Sequence, residues 1–222
     1  MRESYRKQLD TLHSELIRMG ALCEDAIACA VKGFLNDEPI LRDKAIELEK
    51  EIDLKEREIE TFCVHLLLRE QPVASDLRQI TAAQHIITDM ERIGDQAENI
   101  AELSRSIEGS GIKNGVHIGD MADATVKMLT GSVDAFVSAD LEKTHAVIEY
   151  DREVDELFRK IKGELIDMIA EKSRETAEAC LGLLMIAKYL ERIGDHAQNI
   201  AEWVEYSITG QRSLSQNQLT LH

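Results

Sequence analysis

An internal repeat restricts the fold of this chain more than any other feature of the sequence. Residues 91–102 read ERIGDQAENIAE and residues 191–202 read ERIGDHAQNIAE, so ten of the twelve positions are identical at an offset of 100 residues. Weaker matches at an offset of 102 residues come before them, for example Phe34 with Phe136. The chain is therefore predicted to be a tandem duplication, and both halves must be able to adopt the same fold.

Apolar residues recur at helical spacing in each half, and they stop at clear breaks. The breaks are a turn sequence that ends at Pro39, the pair Gln71-Pro72 and the glycine-rich segment 108–115. Aromatic residues make up only 4% of the chain and only two residues are proline, which is typical of long helices rather than sheets. We predict six helices, at 4–36, 39–70, 75–107, 116–138, 140–172 and 174–208.

The predicted fold class is all-α, with two tandem, structurally similar three-helix bundles built from six long antiparallel helices. Repeat 1 is predicted at 1–108 and repeat 2 at 116–209. Residues 109–115 are the expected linker, because three glycines make this segment flexible. The polar tail, 210–222, has no helical repeat of apolar residues and is expected to be loosely ordered or disordered.

The net charge excludes several kinds of partner. The sequence has 26 Lys and Arg against 42 Asp and Glu, which gives a net charge of −16. Such a chain repels nucleic acid and anionic membrane surfaces, because its cations are not gathered in one cluster. The longest apolar stretch, 181–187, is far shorter than the roughly 20 residues of a membrane-spanning helix, and no apolar signal region opens the sequence. We expect no nucleic-acid partner, no membrane insertion and a cytoplasmic protein.

The four cysteines form no Cys-x-x-Cys pair and lie inside helical patterns. We expect them to be buried thiols rather than metal ligands or redox groups. They are Cys23, Cys29, Cys63 and Cys180.

Carboxylates line one face of the repeated segment. At about 100° per residue, the acids of the first copy share one side of the helix, opposite Ile93, Ala97 and Ile100. Asn99 lies at the edge of the acidic side and could add a carbonyl oxygen. Like charges four residues apart destabilise a helix by roughly 0.2–0.5 kcal/mol per pair, unless a cation neutralises them. The acids are Glu91, Asp95, Glu98 and Glu102.

The same acidic spacing recurs in the second copy and in the helix that precedes each copy. The second copy keeps Glu191, Asp195 and Asn199, whereas Gln198 replaces an acid. Because the second and third helices of an antiparallel bundle are neighbours, we expect the acids of both helices to approach one another. The acids of the preceding helices are Glu49 and Asp53 in the first half and Asp151 and Asp155 in the second.

Clustered oxygen ligands suit hard or borderline cations such as Mg²⁺, Mn²⁺, Ca²⁺ or iron. A solvated surface face is the alternative explanation for any single acid pair. A metal site is favoured because both copies keep the acids and also keep a mid-helix glycine, Gly94 or Gly194, at a cost of about 1 kcal/mol relative to alanine. Close approach of a neighbouring helix also explains these glycines and is compatible with a metal site. The predicted ligands are Glu49, Asp53, Glu91, Asp95, Glu98, Asn99, Asp151, Asp155, Glu191, Asp195 and Asn199.

Three segments of the chain resemble the PhoU family of phosphate-signalling proteins. They are the two ERIGD motifs, at 91–95 and 191–195, and the segment QPVASDLR at 71–78, which looks like the stretch that opens the third helix in that family. The resemblance covers the chain from its first helix to about residue 208. The second half departs from the first in two places: KSRE at 172–175 replaces the proline-containing segment, and Gln198 makes the second metal site poorer in charge.

The resemblance implies two similar three-helix bundles and metal clusters, of iron or zinc, bound by the acidic motifs. It also implies a negative regulator of the phosphate regulon that modulates phosphate uptake. Such a protein would contact the phosphate ABC transporter, through its ATPase subunit, and a sensor histidine kinase. A homodimer is expected on the same ground.

Two other functions are compatible with the acidic helices. The first is a di-metal carboxylate enzyme, but such centres normally include Glu-x-x-His, and Gly94 and Gly194 occupy the places three residues after Glu91 and Glu191. The second is a structural helical scaffold whose acids only keep it soluble. Because the sequence contains no phosphate-binding glycine loop and no arrangement of nucleophile and base, we expect no enzymatic activity.

Overall fold

The computed structural model describes residues 2–70, 72–108, 116–171 and 174–212. Within these residues the all-α prediction is confirmed, and the predicted helix ends agree with the observed ones to about two residues. The expected linker, 109–115, and positions 213–222 of the expected tail lie outside the described residues. The helices are α1 (Arg2–Leu35), α2 (Pro39–Glu70), α3 (Ala74–Ser106), α4 (Ile118–Ser138), α5 (Leu141–Glu171) and α6 (Arg174–Thr209).

The duplication extends to the geometry of the first turn in each half. Asp37 ends the α1–α2 turn with a φ of 56°, and Ala139, which lies 102 residues later, has a φ of 48°. Both residues therefore adopt the left-handed conformation that commonly closes a helix. In the second half, Asp140 then caps α5, because its Oδ1 accepts hydrogen bonds from the backbone amides of Glu142 and Lys143 at 3.0 and 3.1 Å.

Helices α1–α3 form one bundle and α4–α6 form the other, and the two bundles share one hydrophobic core. The bundles are joined chiefly by α3 against α6, the two helices that carry the repeated segment, and also by α1 against α4. Ile93 and Ile193, which occupy equivalent places in that segment, are completely buried. The apolar side of the repeated segment therefore belongs to the core. Most acids on the opposite side are half-buried, whereas Glu202 is buried.

The cysteine prediction is confirmed for three of the four thiols. Cys23, Cys63 and Cys180 are buried, whereas Cys29 is half-buried. Burial raises the pKa of Cys63 to about 12, and the nearby charge of Glu60 adds to the shift. A thiol with such a pKa contains almost no thiolate at neutral pH and is therefore unreactive. Across the described helices, no stretch is both apolar enough and long enough to cross a membrane.

Candidate functional site

The two mid-helix glycines allow a neighbouring helix to come close to the acidic motifs. A Cβ atom on Gly94 would lie 3.1 Å from Cδ1 of Ile52 on α2. A Cβ atom on Gly194 would lie 3.1 Å from Cγ1 of Val154 on α5 and 3.7 Å from Oδ1 of Asp151. The close-approach interpretation of the glycines is therefore confirmed, and the approach brings the acids of α2 next to α3 and those of α5 next to α6.

We call the acids of the first bundle the first acidic cluster: Glu49, Asp53, Glu91, Asp95 and Glu98. All five are half-buried. The pKa of Glu49, on α2, is raised by burial and then by the charges of Glu98, Asp53 and Asp95. Burial likewise raises the pKa values of Glu91 and Glu98 on α3, with Asp95 adding to both shifts. A carboxylate raises the pKa of another carboxyl group only when the two lie close together. The structure has therefore brought together the acids that the sequence assigned to neighbouring helices.

Two exposed arginines neutralise part of the first acidic cluster. Arg57 lies 2.9 Å from Asp53, and Arg92 lies 3.2 Å from Asp95 and 3.4 Å from Glu91. The side chains of Arg57 and Arg92 are 72% and 55% exposed. Ion pairs this exposed stabilise a protein by only about 0–1 kcal/mol. A bound cation could therefore replace them at little cost.

The second acidic cluster consists of Asp151, Asp155, Glu191 and Asp195, at the equivalent place between α5 and α6. The pKa of Asp151 is raised to about 7, first by burial and then by the charges of Asp195 and Asp155. The pKa of Asp195 is raised to about 6, again first by burial and then by Glu191. Lys188, one turn before Glu191, forms an ion pair with it. Although Gln198 replaces one acid in this half, the raised pKa values of Asp151 and Asp195 indicate that the remaining carboxylates still repel one another.

The two asparagines in the predicted ligand set use their amide nitrogens in different ways. Asn99 donates to the backbone carbonyl of Asp95 at 2.8 Å, within its own helix. Asn199 donates to Oδ1 of Asp89 on α3, at 3.4 Å, and so reaches across to the other bundle. Both amide groups lie beside an acidic cluster, and their role as metal ligands stays a prediction.

Two ion pairs near the second acidic cluster were missed by the sequence analysis. His196 Nδ1 lies 2.8 Å from Asp89 Oδ1, which joins α6 to α3. Glu202 is 1% exposed and lies 3.0 Å from Arg212, just beyond the end of α6. No signal in the sequence pointed to Asp89, because the equivalent position of the second half is Tyr189.

The side chains of the described residues do not converge closely enough for any three Asp, Glu, His or Cys to hold a metal ion as they stand. The chemistry of the donor set nevertheless fits a hard or borderline cation, since half-buried carboxylates with raised pKa values crowd together in both halves. The glutamates of the clusters, Glu49, Glu91, Glu98 and Glu191, have side chains long enough to reach a cation by a change of rotamer. The acidic clusters are therefore candidates, and their ligand roles stay predictions.

The segment that opens α3 has a structural contact of its own. Arg78 Nε donates to the backbone carbonyl of Ser207 in the last turn of α6, at 3.5 Å. The same side chain packs against Gly210, where a Cβ atom would lie 3.7 Å from its Cδ. An arginine at this place satisfies a carbonyl group that the helix end leaves unpaired. The contacts of Arg78 therefore hold the start of α3 against the end of α6.

We expect Gly94→Ala to lower the free energy of unfolding by about 1 kcal/mol, because crowding against Ile52 outweighs the better helix propensity of alanine. Urea denaturation measures this change. Ile52→Val removes the Cδ1 atom that lies closest, so the two substitutions together should destabilise the protein by less than the sum of their separate effects. Gly119→Ala is the control, since its Cβ atom would make an ordinary contact of 3.7 Å with Leu35. Strictly additive effects would contradict the close approach.

Comparison with known proteins gives a consistent result for both halves. The family model of the PhoU domain matches twice, at residues 16–104 and 118–204. A relative from Clostridium acetobutylicum, named phosphate-specific transport system accessory protein PhoU homolog, is 34% identical over 213 residues, which is 95% of this chain and 97% of the relative. A relative of the same name from Pseudomonas aeruginosa is 33% identical over 210 residues, or 94% of this chain and 86% of the relative.

Two solved structures have the same fold. The crystal structure of PhoU from Pseudomonas aeruginosa has a TM-score of 0.86 and 32% identity, and it matches 93% of this chain and 100% of that chain. The phosphate transport system regulatory protein PhoU from Streptococcus pneumoniae also has a TM-score of 0.86, at 23% identity, and covers 95% of this chain and 100% of that chain. At this lower identity the likeness shows the fold alone.

Proposed function

The chain belongs to the PhoU family, and on that premise we propose that it is a metal-binding, negative regulator of phosphate signalling and uptake. The accessory role in phosphate transport follows from the family, since the curated relatives are named accessory proteins of the phosphate-specific transport system. Our proposal adds three points: multivalent cations bind the acidic clusters, the protein acts through contacts with other proteins, and its effect on the phosphate regulon is negative.

The observation that supports metal binding is the crowding of acids at the same place in both halves. Asp151 and Asp195 carry pKa values of about 7 and 6, and their charges repel each other at neutral pH. An arrangement that is unfavourable in the isolated chain becomes favourable when a cation supplies the missing positive charge. In our proposal the cation is iron or zinc, or else Mg²⁺, Mn²⁺ or Ca²⁺, and it completes a surface that other proteins recognise.

The proposed partners are the ATPase subunit of the phosphate ABC transporter and a sensor histidine kinase, both reached from the cytoplasm. Surface properties support contacts rather than catalysis. Every acid of the two clusters, which lie between helices α2 and α3 and between α5 and α6, is half-buried, so both clusters are accessible to solvent. Such a surface is suited to recognition by a partner with complementary charge. We therefore propose a non-enzymatic regulator.

Deletion of the gene in the source organism tests the regulatory part of the proposal. We expect phosphate-starvation genes to be expressed in phosphate-replete medium, because a negative regulator has been removed. A reporter fused to a phosphate-starvation promoter measures this expression. The wild-type chain should restore repression, as should the control variant Asp123→Asn with Asp134→Asn, whose acids are exposed on α4 outside both clusters. Normal repression in the deletion strain would disprove negative regulation.

The same strain tests whether the acidic clusters carry the regulation. A chain with Asp95→Asn and Asp195→Asn should accumulate to the wild-type level, as measured by immunoblot, but should not restore repression. Affinity purification with the ATPase subunit and the kinase as bait then identifies which contact has been lost. Full repression by this variant would show that regulation does not depend on the acidic clusters.

A further inference from the structure

The chain folds back on itself where α6 ends, and this turn directs the following residues towards the helix. Gly210 has a φ of 78°, a conformation that glycine adopts more readily than other residues. Its amide donates to the carbonyl of Tyr206 at 2.9 Å, and the amide of Gln211 donates to the hydroxyl of Thr209 at 3.0 Å. We call residues 209–212 the C-terminal strap.

Arg212, at the end of the strap, contacts two neighbouring residues of α6. One of its terminal nitrogens lies 3.0 Å from Oε2 of Glu202, ten residues back along the chain, and its guanidinium lies 4.4 Å from the ring centre of Trp203. Trp203 in turn stacks on His85 of α3, with ring centres 3.7 Å apart. An ion pair and a cation–π contact therefore hold the strap. Within the described residues Nε of Arg212 is buried without a hydrogen-bond partner, so the docked arginine is not fully satisfied.

Glu202 connects the strap to the second acidic cluster. It is only 1% exposed, which is rare for a glutamate unless a partner neutralises its charge. The pKa of Asp151 is raised first by burial and then by the acids of the cluster, and the charge of Glu202 adds to the shift. Glu202 therefore lies close enough to the cluster to affect a charge there, and Arg212 is the cation that neutralises it.

The first half has the same acid without the arginine. Glu102, which is equivalent to Glu202, is exposed, and Leu103 stands in place of Trp203. The pKa of Glu98 is raised first by burial and then by the charge of Glu102, so this acid also acts on its cluster. The duplication therefore supplied the acid to both halves. Among the residues that the structure describes, an arginine covers it in the second half alone.

We propose that the C-terminal strap regulates cation binding at the second acidic cluster, because Arg212 and the cation compete for the negative charge of Glu202. While Arg212 is docked, it cancels one negative charge beside the cluster, so a cation binds there more weakly. A bound cation attracts Glu202 and thereby favours release of the strap, since coupling between two binding events is reciprocal. This inference rests on the metal binding proposed above.

Equilibrium dialysis with Zn²⁺ tests the competition. The full chain with Asp95→Asn is the starting protein, because only its second cluster keeps every acid. Adding Arg212→Gln should tighten Zn²⁺ binding by about tenfold, since one positive charge is removed near a divalent cation. Arg69→Gln removes an exposed arginine from the last turn of α2, and this matched control should leave the affinity unchanged. In protein with Asp195→Asn, whose first cluster alone is intact, Arg212→Gln should have no effect.

Trp203 is the only tryptophan of the chain, so its fluorescence reports the position of the strap. In Asp95→Asn protein, Zn²⁺ should shift the emission to longer wavelength, because release of Arg212 exposes one face of the ring to water. With Arg212→Gln the metal-free emission should already be shifted, and Zn²⁺ should change it little further. Glu202→Gln should also release the strap without metal, and Arg212→Gln should then have little further effect on the Zn²⁺ affinity.

The possible outcomes distinguish the strap from the metal site. Zn²⁺ binding that Arg212→Gln leaves unchanged would overturn the strap and leave the proposed metal binding intact. An emission that bound Zn²⁺ does not shift would also overturn the strap, because Arg212 would then stay docked. Asp95→Asn protein that binds neither Zn²⁺, Fe²⁺ nor Mn²⁺ would overturn metal binding at the second cluster, and the strap with it. Circular dichroism of each variant checks that the helices are intact.

Discussion

Under the proposed metal binding, protein that carries Asp95→Asn and Asp195→Asn is expected to bind less metal than the wild-type chain. Each substitution removes one carboxylate from the centre of an acidic cluster while keeping the size of the side chain. Replacement of ligand-supporting groups typically weakens metal binding by about 10–100-fold, and the loss of a charged ligand should be at least as severe. Elemental analysis of purified protein, followed by equilibrium dialysis with Fe²⁺, Zn²⁺ and Mn²⁺, measures the change.

Stability measurements on metal-free protein distinguish loss of metal from loss of fold. Without metal, the charge of Asp195 is unfavourable at neutral pH, since burial and Glu191 raise its pKa to about 6. The amide substitution removes that charge, so the metal-free variant should be at least as stable as the metal-free wild type. Asp123→Asn with Asp134→Asn changes the net charge by the same amount at exposed positions of α4 and is the matched control. Unchanged metal content in the cluster variant would contradict the predicted ligands.

The metal-free protein is expected to become less stable as the pH rises from 5 to 8. Asp151 has a pKa of about 7 in the folded protein, against 3.8 as its model-peptide value, because burial and the charges of Asp195 and Asp155 disfavour ionisation. Between these two values the folded state binds more protons than the unfolded state. The stabilisation is therefore complete below the unfolded pKa and is lost as the pH rises through the folded value.

Asp151→Asn should remove the part of this pH dependence that comes from Asp151, whereas Asp195, with a pKa raised to about 6, keeps its own part. At pH 8 we expect the variant to exceed the wild type by about 2 kcal/mol in free energy of unfolding, a value that allows for partial solvent screening of the carboxyl group. Urea denaturation with a chelator at pH 5, 6, 7 and 8 measures the difference. Addition of a bound metal should also abolish the loss of stability at high pH, because the cation favours the ionised carboxylates.

Two histidines make the comparison with Asp151→Asn necessary. Burial lowers the pKa values of His13 and His85, so these groups bind fewer protons in the folded state than in the unfolded state. Their contribution to stability therefore increases with pH, in the opposite direction to that of Asp151. The difference between wild type and Asp151→Asn isolates the carboxyl group. If both proteins become more stable from pH 5 to pH 8 in parallel, the proposed crowding at Asp151 is wrong.

The sequence predicted the helices well because the signals for them are local. Apolar spacing and turn residues lie within a few positions of each helix end, so the predicted 39–70 and the observed Pro39–Glu70 agree. The exact repeat at 91–102 and 191–202 also showed that the two halves share a fold. Helical spacing further placed the acids of each helix on one face, and the close approach of α2 to α3 then brought those acids together.

Long-range contacts explain what the sequence did not predict. Asp89 meets His196 only because α3 packs against α6, more than 100 residues away along the chain. Glu202 shares the spacing of the acidic face, yet in the structure it is buried and paired with Arg212. Spacing along a helix cannot distinguish Glu202 from an exposed acid, since its partner is supplied by a chain segment beyond the helix.

The amino-acid sequence by itself determined the all-α class, the duplication and the faces on which the carboxylates lie, because periodicity and repetition are properties of neighbouring residues. The tertiary structure alone decided how deeply each carboxylate is buried and which residues of the other bundle lie beside it. Burial is the largest cause of the raised pKa of Asp151, which reaches about 7, and the charges of Asp195 and Asp155 add to the shift.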